Sequence, residues 1–119
     1  MTTSNPTVTE IRLSPDKRIL TIAFDNGDKF APTARLLRVE SPSAEVQGHD
    51  PSQKTIVPGK RDVTISGIEP VGNYAVRLIF DDGHNTGIFS WEVLHRLGAG
   101  HDVLLAAYLA KLEEGGLPE

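Results

Sequence analysis

One nine-residue pattern occurs twice in this chain, and it constrains the fold more than any other feature. Leu20-Thr21-Ile22-Ala23-Phe24-Asp25-Asn26-Gly27-Asp28 is matched, fifty-six residues later, by Val76-Arg77-Leu78-Ile79-Phe80-Asp81-Asp82-Gly83-His84. Each copy is strand-like and closes on a Phe-Asp-x-Gly sequence. Asn-Gly and Asp-Gly tolerate the positive φ that a tight hairpin needs. A short return strand follows each copy, then a short helical segment carrying a leucine, Leu37 or Leu94. The unit is therefore strand, turn, strand, short helix. Two ordinary hairpins with common turn chemistry would read the same way. The sharper expectation is a duplicated unit, packed face to face or side by side. Either way antiparallel hairpins dominate and helices cover them, so the fold class is α+β.

The rest of the chain fits around these two units. Val8-Thr9-Glu10-Ile11-Arg12-Leu13 alternates enough to be a strand, and Ser14-Pro15-Asp16-Lys17 suits a type I turn. In residues 18–24 both faces are apolar, which places that strand centrally in a sheet. Residues 62–69 read as a strand whose parity slips at Ser66-Gly67, the mark of a β-bulge. Tyr74, Val76, Leu78 and Phe80 share one strand face. Ser90 is a candidate N-cap for a helix over 91–97, with Gly98 as its stop. A last helix, capped by Asp102, carries Leu104, Leu105, Tyr108, Leu109 and Leu112 on one stripe. Gly115-Gly116 and Pro118 end it. That stripe is expected to dock on its own domain, with docking on another subunit as the alternative. The predicted core is Leu20, Ile22, Phe24, Val76, Leu78, Phe80 and Trp91, with Phe89 and Tyr74 also read as core.

Composition excludes several functions. With 119 residues the chain is one domain by length and buries roughly two-thirds of its unfolded surface. It has no cysteine, which removes disulfides, thiol catalysis and every cysteine-ligated metal or cluster. A net charge of −4 argues against a nucleic-acid surface. No apolar run approaches a membrane span. The first residues lack a basic end and an apolar stretch, so no secretory signal is expected and the expected location is cytoplasmic.

Few residues suggest chemistry. His84 closes the second turn beside Asp81 and Asp82, and imidazole with carboxylates can ligate a divalent metal. Turn chemistry on a solvated loop explains the same residues. His49 and Asp50 sit in a long loop, residues 40–61, together with Gln47, Lys60 and Arg61. A loop this long in a compact domain is usually functional or disordered. It is expected to be the interaction surface, through Gln47, His49, Asp50, Lys60 and Arg61. A weak metal site would use His84, His49 and Asp82. His95 and His101 read as surface or capping residues. Pro58-Gly59-Lys60-Arg61 lacks the spacing of a phosphate loop. The serines have no nucleophile context, and no catalytic set can be proposed.

Taken together, Leu37-Arg38, Ser41-Pro42-Ser43-Ala44-Glu45-Val46, Gly48-His49, Pro58-Gly59-Lys60, the run from Gly67 to Ala75, Phe80 to His84, and Gly87 to Trp91 resemble one family. It is the family named after the N-terminal domain of gamma-butyrobetaine hydroxylase, and in bacteria its members include small stand-alone proteins. The resemblance spans residues 8–98 and leaves 99–119 as a helical tail. It implies a domain that precedes an iron/2-oxoglutarate oxygenase in eukaryotic relatives but does not carry the oxygenase chemistry. Elsewhere the domain is fused to iron–sulfur carrier ATPases. The resemblance also implies a structural zinc held by three cysteines and one histidine. The cysteine positions fall near Ser41, Ser43 and Val46, and the histidine matches His84. Serine is a poor zinc ligand and valine is none, so the structural zinc is expected to be lost. The expectation is a non-catalytic accessory or interaction module linked to iron–sulfur or metal metabolism. It would need no cofactor and would have a protein partner, such as an iron–sulfur carrier ATPase. The alternative is a metal-binding protein using His84, His49 and nearby Asp, with weak iron or zinc binding. Oligomeric state is left open.

Overall fold

The computed structural model describes residues 7–43, 46 and 56–119. It contains two antiparallel three-stranded sheets, ordered β1-β2-β3 and β4-β5-β6. The first comprises β1 (Val8–Leu13), β2 (Leu20–Phe24) and β3 (Lys29–Phe30). The second comprises β4 (Ile65–Val71), β5 (Ala75–Phe80) and β6 (Ile88–Ser90). A short helix follows each sheet: α1 (Ala34–Val39) after the first, α2 (Trp91–Ala99) after the second. A third helix, α3 (His101–Glu114), completes the fold.

The duplication reaches the level of single hydrogen bonds. In the first turn the Phe24 N–H donates to Asp28 O at 2.9 Å, and the Gly27 N–H to Phe24 O at 3.2 Å. In the second, Phe80 donates to His84 O at 2.9 Å and Gly83 to Phe80 O at 3.1 Å. Gly27 and Gly83 have φ of 92° and 91°, a region a side chain would oppose. Asp25 and Asp81 accept on Oδ1 from the Thr7 and Thr64 N–H groups, at 3.1 and 3.0 Å. Both sheets carry a bulge near the start of their first strand, at Val8/Glu10 and Ile65/Gly67. In each, the hydroxyl inside the bulge, Thr9 or Ser66, donates to the facing backbone carbonyl, Ala23 or Ile79. Thr33 and Ser90 cap α1 and α2 by accepting from the N–H three residues on. The shared Phe-Asp-x-Gly sequence dictates the turn, and the shared turn dictates where the helix starts.

The two halves also grip each other reciprocally. Five positions past its cap, His95 of α2 meets the first turn, with Nε2 2.8 Å from Asp28 Oδ2. Five positions past its cap, Arg38 of α1 meets the second turn, its Nε donating to Asp82 Oδ2 at 2.7 Å. Each hairpin turn is thus held by the helix of the other repeat.

One core joins both sheets and the helices. Leu20, Ile22, Phe24, Leu36, Leu37, Ile65, Leu78, Phe80, Phe89, Leu94 and Leu97 are all buried in one cluster. Phe24 and Phe80 occupy equivalent buried positions, as the repeat requires. Tyr108 and Leu112 of α3 join the same cluster, with Leu104, Leu105 and Leu109 packed against it. Tyr108 donates its hydroxyl to Val57 O, and the Arg35 guanidinium lies 5.5 Å over its ring. No helix among the described residues is long and apolar enough to cross a membrane.

Several sequence expectations need correction. Tyr74 lies just outside β5 and is 58% exposed, because its ring folds over Gly72 at the turn instead of following the strand face. Trp91 is only half-buried, its indole N–H reaching out to Asn73 O at 2.9 Å. Gly98 does not stop α2, which runs on to Ala99. Its lack of a side chain serves packing instead, since a Cβ there would sit 2.6 Å from Phe30 Cβ. Asp102 lies inside the first turn of α3, whose N-cap is Gly100. His95 is half-buried, its ring packing edge-on against Phe24 and Phe30 at centroid distances of 5.0 and 5.1 Å. His101 is half-buried, with Nε2 3.1 Å from Thr33 Oγ1.

Candidate functional site

Among the described residues, the buried polar side chains of Ser41, Ser43 and His84 gather beside the second hairpin turn. The tight turn after Phe80 directs the Asp82 side chain back over its own backbone, where Oδ1 accepts from the His84 N–H at 3.0 Å. That leaves Oδ2 for partners from elsewhere in the chain. Arg38 reaches it from the last turn of α1 at 2.7 Å. Lys60 reaches it from the segment before β4 at 2.6 Å. Burial alone would raise the Asp82 carboxyl. The Lys60 ammonium, the His84 N–H and the Arg38 guanidinium outweigh burial and bring it from 3.8 to about 2. Asp82 is therefore a fixed anion under ordinary conditions. Both cations are mostly buried, with 12% and 21% of their side chains exposed.

His84 turns inward from the same hairpin. It is 5% exposed, not the solvated turn residue that its sequence context suggests. Its Nε2 lies 3.0 Å from Ser41 Oγ, in the segment that follows α1. Ser41 Oγ also accepts from the Ser43 N–H at 3.3 Å. Ser43 Oγ in turn lies 2.7 Å from Thr86 Oγ1. The Val46 N–H donates to Ser43 O at 3.0 Å, and Val46 is buried. Gly87 makes room for the cluster, since a Cβ there would overlap Ser41 Oγ. The return from the turn thus brings Ser41 against His84 and Ser43 against Thr86; Ser41, Ser43 and Val46 are the positions to which the resemblance assigns the cysteine ligands of a zinc ion. The donor set is wrong for that metal. Two hydroxyls and a hydrocarbon do not make a zinc site with a single imidazole. Among the described residues no group of three or more His, Asp or Glu side chains converges to hold an ion.

Of the residues singled out in the sequence, Asp82, Lys60 and His84 belong to one neighbourhood. Arg61 is exposed at its edge. A cleft of about 460 Å³ lies there, lined by Lys60, Arg61, Asp62, Asp81, Asp82 and Glu119 among others. Gln47, His49 and Asp50 fall outside the described residues, so the loop half of both the metal and the interaction expectation does as well. Sequence reading missed Arg38 as a partner of the turn, and it missed the His95–Asp28 pair. The repeat held that signal: Arg38 and His95 are the basic residues at the same distance past Thr33 and Ser90.

The chain is a two-sheet antiparallel module whose second turn carries an inward-facing histidine. The gamma-butyrobetaine hydroxylase-like N-terminal family model matches residues 11–95, and the chain belongs to that family. A protein of unknown function of the DUF971 family from Acidithiobacillus ferrooxidans, known from a crystal structure, is 42% identical. That match covers 78% of this chain and 93% of the other, with a TM-score of 0.65. Two proteins with NMR solution structures are similar over more of the chain. One is 46% identical over 100% of this chain and 90% of its own, with a TM-score of 0.83. The other is 40% identical over 97% and 90%, with a TM-score of 0.82. No curated protein matches significantly.

Proposed function

We propose that this chain is a non-catalytic accessory module that acts by binding a protein partner, in the setting of iron–sulfur or metal metabolism. The observation that carries the reading is how the polar groups at the second turn are spent. Asp82 is bound by two cations and a backbone N–H. His84 packs on the hydroxyl of Ser41, and Ser43 on that of Thr86. Groups committed to one another in this way hold the fold together and leave recognition to the surface around them. Membership of a family named after a domain that precedes an oxygenase supports the same reading. The link to iron–sulfur chemistry comes from the fusion partners of related domains, which makes an iron–sulfur carrier ATPase the partner to test. Fold alone does not fix function, so the partner must be tested directly.

In this reading the module folds without metal and needs no cofactor. Untagged protein should melt at the same temperature with and without EDTA, and His84→Ala should remain folded. Purified carrier ATPase should bring the module forward to an earlier elution volume on size exclusion, and cross-links should map to the exposed surface around the second turn. As-purified protein that holds one equivalent of iron or zinc and unfolds on chelation would overturn the reading in favour of a metal protein.

A further inference from the structure

Next to the cleft at the second turn, and sharing Arg61 and Val63 with it, four elements converge on a second cleft of about 300 Å³. The β1–β2 turn supplies Asp16, Arg18 and Ile19, and the start of α1 supplies Thr33 and Arg35. The segment before β4 supplies Arg61 and Val63, and α3 supplies Leu105. Ile19, Val63 and Leu105 make an apolar floor. Three guanidinium groups against one carboxylate line the rest.

Two of those guanidinium groups are held in place from outside the cleft. Arg35 donates from Nη2 to Glu119 Oε1 at 3.0 Å and stacks over Tyr108. Arg18 donates from Nη1 to Asp62 Oδ1 at 3.1 Å. The single carboxylate is occupied locally: Asp16 Oδ1 accepts from Ser14 Oγ at 2.5 Å and from the Arg18 N–H at 3.1 Å. Among the described residues, the Arg61 side chain has no hydrogen-bond or ion-pair partner, while its backbone N–H is anchored to Glu119 O at 3.0 Å. One cation without a partner among the described residues therefore stands at the mouth of the cleft, with two positioned ones beside it.

The repeat shows that the charges of Arg18 and Arg35 are not required by the strand-turn-strand-helix unit itself. By the turn and cap correspondences, the second-repeat counterparts of Arg18, Thr33 and Arg35 are Tyr74, Ser90 and Glu92. The capping residue is the same in kind, as helix initiation demands. The two arginines are replaced by a phenol and a carboxylate. Hairpin and helix form with either set, so neither arginine is dictated by the repeated unit.

We propose that this cleft is a binding site for a small organic acid, with its carboxylate on Arg61, Arg18 and Arg35 and its apolar body on Ile19, Val63 and Leu105. Guanidinium groups suit carboxylates because their planar donors match two oxygens at once. A cleft of this size lies at the lower end of small-molecule sites, with an apolar lining and a few placed polar groups. A purely inorganic anion would leave the floor uncovered, and a neutral apolar ligand would leave Arg61 unpaired.

The test is a titration of ¹⁵N-labelled full-length protein with hexanoate, hexanamide and inorganic phosphate at constant ionic strength. Hexanoate should shift the amides of Ile19, Val63 and Leu105 saturably. Hexanamide and phosphate should each bind at least tenfold more weakly. Arg61→Gln should weaken hexanoate about tenfold while the remaining spectrum stays dispersed. Three results would each overturn the proposal: no saturable shift with hexanoate, equal binding of the amide or of phosphate, or undiminished hexanoate affinity in Arg61→Gln. Should that variant unfold, the comparison of acid with amide on the unaltered protein still decides.

Discussion

Gly87 sits where a methyl group has no room, since its Cβ would overlap Ser41 Oγ and come within 3.0 Å of the Phe89 ring. Gly87→Ala should therefore expel Ser41 from His84 and cost about 1–3 kcal/mol, the range for overpacking a filled interior. Urea unfolding checks this. Gly98→Ala sets two effects against each other. Alanine improves an exposed helix interior by about 1 kcal/mol, but here the new Cβ meets Phe30 Cβ at 2.6 Å. Because Phe30 belongs to β3, the neighbour cannot rotate away, and the net effect should be destabilising. Asp82 links stability to pH. Its folded carboxyl lies below the ordinary value, so the stability it contributes is present above 3.8 and is lost as pH falls toward about 2. Asp82→Asn should lower stability at neutral pH and flatten the acid limb of the stability curve in that window, as read from denaturation midpoints across pH.

Among elements, the two hairpin turns offer a matched pair of experiments. Gly27 and Gly83 share the same positive φ, and a methyl group at either would meet no atom within 4 Å. Gly27→Ala and Gly83→Ala should thus each cost about 1–2 kcal/mol, from backbone conformation alone. A large cost at one and none at the other would break the equivalence of the repeats. Most of this level was legible in the sequence. Alternation marked β2 and β5, the parity slip at Ser66-Gly67 marked the bulge, and Ser90 marked the start of α2. Legibility failed where tertiary contact overrides local preference. Gly98 looks like a stop because local sequence carries no trace of Phe30 leaning on it. Tyr74 looks like a strand residue because alternation continues one position past the point where the turn rotates it outward. The neighbourhood of the second turn was half visible: His84 and Asp82 stand together in the chain, but Arg38 and Lys60 come from distant segments and only the fold delivers them. The burial of His84 was hidden for the same reason, because Ser41 covers it from forty-three residues away.

For the molecule as a whole, α3 contributes Tyr108 and Leu112 to the single core, and the backbone beyond it reaches back to Gly59 and Arg61. Burying two such side chains stabilises by about 1.5–3 kcal/mol each, a large share of the ~5–15 kcal/mol available to a domain. Removing residues 101–119 should lower the melting temperature steeply or abolish a cooperative transition, as calorimetry would register. The reciprocal grip of helix on turn carries a different implication. Because α1 fastens the second hairpin and α2 fastens the first, neither half is complete by itself. Each half is completed by the other, as two subunits of a dimer complete one another. A chain severed between Gln47 and Thr55 should stay together as two fragments, and separately made fragments should find each other and fold on mixing.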